Sequence, residues 1–145
     1  MKHEYVLSGI VVELHVPDFR PAIDFYSLLG FSVVWGQSGK KGYLVMKSGP
    51  NILNFYCGTQ EVFNHSYFRN LPPDTPRGYA VEIVIPVDDV HALYDKISQI
   101  NKKGLFGGKI VEDLKLKPWG KYDFRMVDPF GFYIRICEPD NWLVP

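Results

Sequence analysis

The chain has 145 residues, enough for one compact domain with a core and too few for two ordinary domains. Lysine and arginine number 16 and so do aspartate and glutamate, so no overall charge favours a nucleic acid or an anionic membrane surface. No apolar run approaches the roughly 20 residues of a membrane span, and Met1 to Ser8 is too short and polar for a signal peptide. We therefore expect a cytoplasmic protein that binds neither nucleic acid nor membrane.

The first half of the chain reads as a strand, a helix and three strands. Ile10 to Asp18 alternates apolar residues with others and ends at Asp18, a residue that caps helices, and Gly30 is suited to close the helix that follows. Short runs of β-branched and aromatic residues then predict three strands, at Phe31 to Trp35, Tyr43 to Met46 and Asn51 to Tyr56.

The second half repeats this layout. Val81 to Asp89 alternates in the same way, and setting Asp18 on Asp89 pairs Val11 with Glu82 and keeps the apolar faces of both helices in register. Glu82 is a carboxylate in the middle of a predicted buried strand, so it needs a partner or a ligand. The later strands are predicted at Lys109 to Glu112, Tyr122 to Val127 and Phe132 to Glu138. The repeat predicts an α+β fold of two βαβββ modules, 9–57 and 79–139, in one domain, 1–145.

A connection rich in proline, residues 58–78, joins the two modules. Its aromatic residues, together with His65 and Arg69, can form a lid over a cavity; these residues are Phe63, Tyr67 and Phe68. We favour the plainer interpretation, a linker that packs its aromatic side chains on the outside of a sheet. The two cysteines, Cys57 and Cys137, lie in apolar runs without metal-binding spacing, which favours a packing role.

Several short motifs occur in the same order as in a known superfamily. They are Val16-Pro17-Asp18, Phe25-Tyr26, Leu29-Gly30-Phe31, Val87-Asp88-Asp89, Trp119-Gly120, Phe124, Val127-Asp128-Pro129-Phe130-Gly131 and Ile134 to Glu138. In this order they resemble the vicinal-oxygen-chelate superfamily, which holds glyoxalase I, bleomycin-resistance proteins, extradiol dioxygenases and fosfomycin-resistance enzymes. The resemblance implies that each module curls into a cup-shaped mixed sheet with its helix outside, and that the protein forms a homodimer.

The metal-dependent members of that superfamily place one ligand on the first and last strand of each module. By position these sites fall at Val11, Asn54, Glu82 and Arg135. Valine cannot bind a metal, and arginine brings a fixed positive charge where a carboxylate would stand. The pattern is therefore closer to the bleomycin-resistance branch, and we predict no metal and no cofactor. A displaced metal site at Glu13, His15 and Glu82 remains open, since Glu13 and His15 share one face of a strand.

Alternation along the predicted strands indicates which side chains face the cup. The set is Val11, Glu13, His15, Ile52, Asn54, Tyr56, Glu82, Val84, Pro86, Tyr133, Arg135 and Cys137. A mixture of apolar, aromatic and charged residues is typical of a small-molecule site. The candidate ligand-binding residues are Glu13, His15, Asn54, Tyr56, Glu82, Trp119, Tyr133 and Arg135.

Each polar candidate also has a plainer role. Glu82 and Arg135 can form a partly buried ion pair, or they can bind a zwitterionic or carboxylate-bearing ligand through the arginine fork. Glu13 and His15 can lie at the open rim in contact with solvent, which we favour for His15. The tyrosines fit the wall of a cavity better than a catalytic role.

Three classes of function remain open. The first is a metal-free protein that binds a small aromatic or charged molecule, the second a metal-dependent lyase or dioxygenase or a metal-free enzyme with Glu82 as base, and the third a groove for a protein partner. We favour the first and assign no catalytic residue. The sequence does not show whether the cup forms within one chain or between two.

Overall fold

The protein is described by a computed structural model that covers residues 9–36, 42–58 and 65–140. In this part of the chain, two four-stranded mixed sheets and two helices form an α+β fold. The elements in order are β1 (Val12–His15), α1 (Phe19–Ser27), β2 (Ser32–Gly36), β3 (Gly42–Ser48), β4 (Asn51–Cys57), a 3₁₀ turn (Phe68–Asn70), β5 (Glu82–Pro86), α2 (Val90–Lys102), β6 (Lys109–Leu116), β7 (Tyr122–Val127) and β8 (Tyr133–Cys137).

The two sheets have the same topology. Their strand orders are β1-β4-β3-β2 and β5-β8-β7-β6. The parallel pairs are β1 with β4 and β5 with β8, and all other neighbouring strands are antiparallel. Neither sheet closes into a barrel. The predicted fold class, two βαβββ modules with open sheets, is confirmed.

Both helices begin at the predicted aspartates. The Asp18 side chain accepts a hydrogen bond from the Arg20 amide at 3.0 Å, and Asp89 accepts one from the Ala92 amide at 3.0 Å. Each bond satisfies an amide that has no partner within the helix, so each aspartate fixes where its helix starts. The first helix ends by Gly30, whose φ of 91° is a conformation that glycine adopts without strain.

One apolar core joins the two halves. Leu14 and Phe55 of the first sheet and Ile134 and Ile136 of the second are all buried in it, together with the inward faces of the helices. A buried hydrogen bond crosses between the halves, from the Tyr26 hydroxyl to Oδ2 of Asp128 at 2.7 Å. The helix-facing side of each sheet is therefore the core side, and the polar candidates lie on the opposite side.

The structure corrects three expectations. Strand β6 was predicted to end at Glu112 but continues to Leu116, so the loop before β7 starts after Leu116. Val12 alternates with the cup-facing Val11 and Glu13 and is therefore expected on the core face, but it is 37% exposed because it lines an open groove, whereas Leu14 on the same face is buried. Glu82 is the first residue of β5, not its middle, and its side chain is about one-third exposed.

No helix in the described ranges is long and apolar enough to cross a membrane.

Candidate functional site

Strand register places the first group of candidates side by side. In the parallel pair β1 and β4, Glu13 lies beside Asn54 and His15 lies beside Tyr56. Because adjacent residues in register point to the same face, these four side chains share the face of the first sheet that is turned away from the core.

Aromatic rings surround His15 on this face. Its ring centroid lies 4.9 Å from Tyr56, 4.9 Å from Phe68 and 6.2 Å from His65. Tyr43 of β3 extends the group, 5.2 Å from Tyr56. We call these five residues the aromatic cluster. Ring faces carry partial negative charge, so such a cluster suits a flat or cationic ligand.

His15, one of the two histidines of the aromatic cluster, is paired with a carboxylate. Nε2 of His15 lies 3.3 Å from Oε2 of Glu13, and the exposed fractions of the two side chains are 13% and 35%. Burial lowers the pKa of His15 below its ordinary value, although Glu13 opposes this shift, and the nearby His65 lowers the pKa further. A neutral His15 leaves the Glu13 carboxylate as the net charge of this pair at pH 7.

Two expectations about these residues were wrong. His15 is not solvated at an open rim, because its ring is largely covered by its neighbours. The connection between the halves does not pack its aromatic side chains only on the outside, since Phe68 and His65 lie against His15 on the polar face of the sheet. Phe63, the third aromatic residue predicted for a lid, lies outside the described residues.

The second sheet carries ionic rather than aromatic residues on the corresponding face. Oε1 of Glu82 lies 3.1 Å from Nη1 of Arg125 and 4.0 Å from Nε of Arg135. The predicted partner Arg135 is therefore the more distant of two arginines. Arg125 also donates a hydrogen bond of 3.5 Å to the Tyr133 hydroxyl, and this bond is the main reason that its pKa is raised.

Arg125 is a residue that the sequence interpretation missed. It lies on β7 directly opposite Arg135, with Asp123 two positions earlier on the same face opposite Cys137. Alternation along Tyr122 to Val127 is the signal that puts Asp123 and Arg125 on the same face, and the predicted cup-facing set covered only the first and last strands of each module.

Further ion pairs fill the far side of this face. Glu112 of β6 pairs with Lys117, with Lys115 at 2.9 Å and more loosely with Arg125 at 3.8 Å. Asp123 is 1% exposed, and the Lys117 ammonium lies 3.5 Å from it. The Asp123 charge is offset by Lys117 and by Arg125 at 3.8 Å, but neither of its carboxylate oxygens accepts a hydrogen bond from the described residues.

Trp119 lies in the loop after β6. It is 56% exposed, and its ring centroid lies 6.0 Å from Nζ of the buried Lys117. That distance is at the outer limit for attraction between a cation and an aromatic face. Trp119 therefore lies beside the ionic network of the second sheet, not beside the aromatic cluster.

The structure does not bring all eight candidates into one cluster. The ion pairs and ring contacts of Glu13 and His15 lie within the first half, and those of Glu82 and Arg135 lie within the second. Where the sheets meet, an apolar groove of about 400 Å³ separates the edges of β1 and β5. Its lining is Gly9, Ile10, Val11, Val12, Phe31, Pro50, Asn51, Ile52, Leu53, Ile83, Val84, Ile85 and Pro86.

The superfamily's metal positions do not fit a metal here. Val11 offers no ligand atom and lines the apolar groove, and the Arg135 guanidinium points a positive charge at Glu82. Across the described ranges, no group of three or more histidine, cysteine, aspartate or glutamate residues is arranged to hold a metal ion, which includes the displaced set Glu13, His15 and Glu82.

Two open sheets built by repeated βαβββ units, with a polar face opposite the core, define the class of fold. The chain belongs to the Glyoxalase/Bleomycin resistance protein/Dioxygenase superfamily, whose family model matches residues 10–136. A search of curated proteins finds no match.

Solved structures share this fold at low sequence identity. A bleomycin resistance determinant encoded on the transposon Tn5 is 22% identical, with 92% of this chain and 99% of that chain covered and a TM-score of 0.59. A bleomycin-binding protein complexed with bleomycin is 19% identical, with 92% and 100% covered and a TM-score of 0.57. A lactoylglutathione lyase from Agrobacterium tumefaciens is 19% identical, with 96% and 98% covered and a TM-score of 0.61. These similarities establish the fold alone.

Proposed function

We propose that this protein is a cytoplasmic, metal-free binding protein of the bleomycin-resistance type that sequesters a flat aromatic cation. The observation that carries the proposal is the aromatic cluster around His15, with the Glu13 carboxylate 3.3 Å from the imidazole. Rings provide a stacking surface and the carboxylate provides the countercharge. A neutral imidazole adds ring surface without repelling a cation.

The structural neighbours support this class of ligand without establishing it. One of them was crystallised with bleomycin, and the fold it shares with this chain covers nearly the whole of both proteins. Since one fold can serve many activities, the argument for this chain rests on its own residues.

Titration with bleomycin and with ethidium, a small flat aromatic cation, tests the proposal. Isothermal calorimetry measures affinity, and the change in fluorescence of the three tryptophans gives a second binding signal. Glu13→Gln and Tyr56→Leu should each weaken binding about tenfold, the effect of losing about 1–2 kcal/mol of ion–ligand or cation–ring attraction.

A matched control is Tyr79→Leu, because Tyr79 is 75% exposed in the turn before β5. Its affinity for both probes should equal that of the wild type. The proposal would be contradicted if neither bleomycin nor ethidium binds the wild type. It would also be contradicted if the wild type and Glu13→Gln bind these probes with equal affinity. Elemental analysis of the purified protein tests the metal-free part separately, and stoichiometric zinc, nickel, manganese or iron would overturn it.

We further propose that the protein acts as a homodimer. Three consecutive residues of the edge strand β2 support this: Val33 is 46% exposed, Val34 57% and Trp35 54%. An apolar edge strand of this kind is normally covered or paired in a stable protein. Light scattering after size exclusion measures the mass. Val34→Lys should shift a dimer to monomer, and a monomeric wild type would refute the proposal.

A further inference from the structure

Two arginines face each other on adjacent strands of the second sheet. Arg125 of β7 and Arg135 of β8 are direct partners in the register and point to the same face. Like charges placed directly opposite across two strands repel, so this arrangement costs stability unless an anion lies between them. Both guanidinium groups are largely buried, with exposed fractions of 19% and 24%.

Glu82 is the carboxylate that lies near both arginines, while Arg125 also has Glu112 and Asp123 at 3.8 Å. Oε1 of Glu82 lies 3.1 Å from Nη1 of Arg125 and only at 4.0 Å from Nε of Arg135. The Nε atoms of both arginines are buried and have no hydrogen-bond acceptor among the described residues. Within those same residues, Arg135 forms no other ion pair, so its charge is the least compensated on this face.

A third donor lies at the same place. The Tyr133 hydroxyl oxygen accepts the 3.5 Å hydrogen bond from Arg125, which leaves its own proton to donate. Tyr133 is the direct register partner of Glu82, so the hydroxyl and the carboxylate share one face. Both guanidinium groups lie within 4.0 Å of the same Glu82 oxygen, and the hydroxyl lies 3.5 Å from one of them, so this corner of the sheet offers several donors to a planar or tetrahedral oxyanion.

We propose that Arg125, Arg135 and the Tyr133 hydroxyl form an oxyanion site that Glu82 occupies in the free protein and that the carboxylate or phosphate group of a ligand takes over. Glu82 can leave at little cost, because it is the first residue of β5 and its side chain is one-third exposed. A ligand group placed more centrally would satisfy both arginines, which Glu82 does not.

Anion titrations on the wild type and on Glu82→Gln test the site. The probes are inorganic phosphate and acetate, measured by calorimetry and by thermal shift against chloride at the same ionic strength. Removing the competing carboxylate should raise phosphate affinity about tenfold, the effect of one nearby unit charge at a partly exposed site. A gain for phosphate alone identifies a phosphate-type ligand, and a gain for both probes identifies any oxyanion.

The matched control is Asp24→Asn, which removes another carboxylate that pairs with an arginine, Arg20 at 2.8 Å on the first helix, outside both proposed sites. It should leave phosphate affinity at the wild-type value. The double variant Glu82→Gln with Arg135→Gln should lose the gain in phosphate affinity. The single variant Arg135→Gln should bind phosphate more weakly than the wild type does. If Glu82→Gln does not fold, the phosphate affinity of the single variant Arg135→Gln tests the oxyanion site.

Two results would overturn the oxyanion site. One is equal phosphate affinity in Glu82→Gln and Asp24→Asn, and the other is a gain that survives the loss of Arg135. The test is independent of the function proposed above, because it uses neither bleomycin nor ethidium. Failure of those probes to bind the wild type would refute the aromatic-cation proposal and leave the phosphate comparison unaffected.

Discussion

Removal of the Tyr26 hydroxyl tests how the two halves of the chain are held together. Tyr26→Phe deletes the donor of the 2.7 Å bond to Oδ2 of Asp128 and leaves that oxygen buried, since Asp128 is 4% exposed. An unsatisfied acceptor of this kind costs about 1–3 kcal/mol, with charged acceptors toward the upper end. We expect a loss of about 2 kcal/mol at pH 7, which for a domain of this size lowers the Tm by about 4–8 °C.

The cost should depend on pH in a defined direction. Burial raises the pKa of Asp128, and the Tyr26 hydrogen bond opposes that rise, so Tyr26→Phe raises the pKa further. A carboxyl group whose pKa is higher in the folded than in the unfolded protein gains stability from protonation as the pH falls through the folded pKa. The deficit of Tyr26→Phe should therefore shrink on acidification below pH 7.

Urea unfolding at several pH values, followed by circular dichroism, measures both effects. Tyr94→Phe is the matched control, because the Tyr94 hydroxyl donates an equally short bond, 2.7 Å, to the carboxylate of Asp113 at an exposed site. That change should cost less than about 0.5 kcal/mol. Equal losses in the two variants, or a Tyr26→Phe deficit that does not change with pH, would refute the reasoning.

Two further outcomes follow from the polar faces. Lys117→Met should destabilise the protein by about 3 kcal/mol or more in a urea titration, because it removes the cation 3.5 Å from the buried Asp123. Lys115→Met, at a side chain that is 59% exposed, should cost far less in the same assay. Ethidium affinity should fall as the pH drops below 6.5, since His15 has a pKa lowered from that value and becomes a competing cation when protonated. His15→Gln should abolish this pH dependence, and a dependence that persists in His15→Gln would assign it to another group.

The fold was predictable because its signals are local. Two kinds of signal lie within or next to the elements that they determine. Alternation marks the strands in Ile10 to Asp18 and Val81 to Asp89, and the aspartate at the end of each range marks the start of a helix. Repetition of the same order then indicated the topology. Strand β6 was underestimated at its end, although Leu114 and Leu116 continue the apolar alternation there with Asp113 and Lys115 and so carried the signal of a strand.

The site was only partly predictable. The register confirmed that Glu13 lies with Asn54, and Glu82 with Tyr133, on shared faces, since alternation determines the face of a strand. The contact between Phe68 and His15 has no local signal, because tertiary packing alone determines where a connecting segment lies.

The position of Phe68 over His15 has a kinetic consequence. With its ring 4.9 Å from the imidazole, Phe68 occupies one side of the surface on which a flat ligand would stack. If the proposed ligand stacks there, it would have to displace this ring, and its entry would be a two-step process. At high ligand concentration the observed association rate would then reach a plateau set by the opening of the segment around the 3₁₀ turn rather than by diffusion.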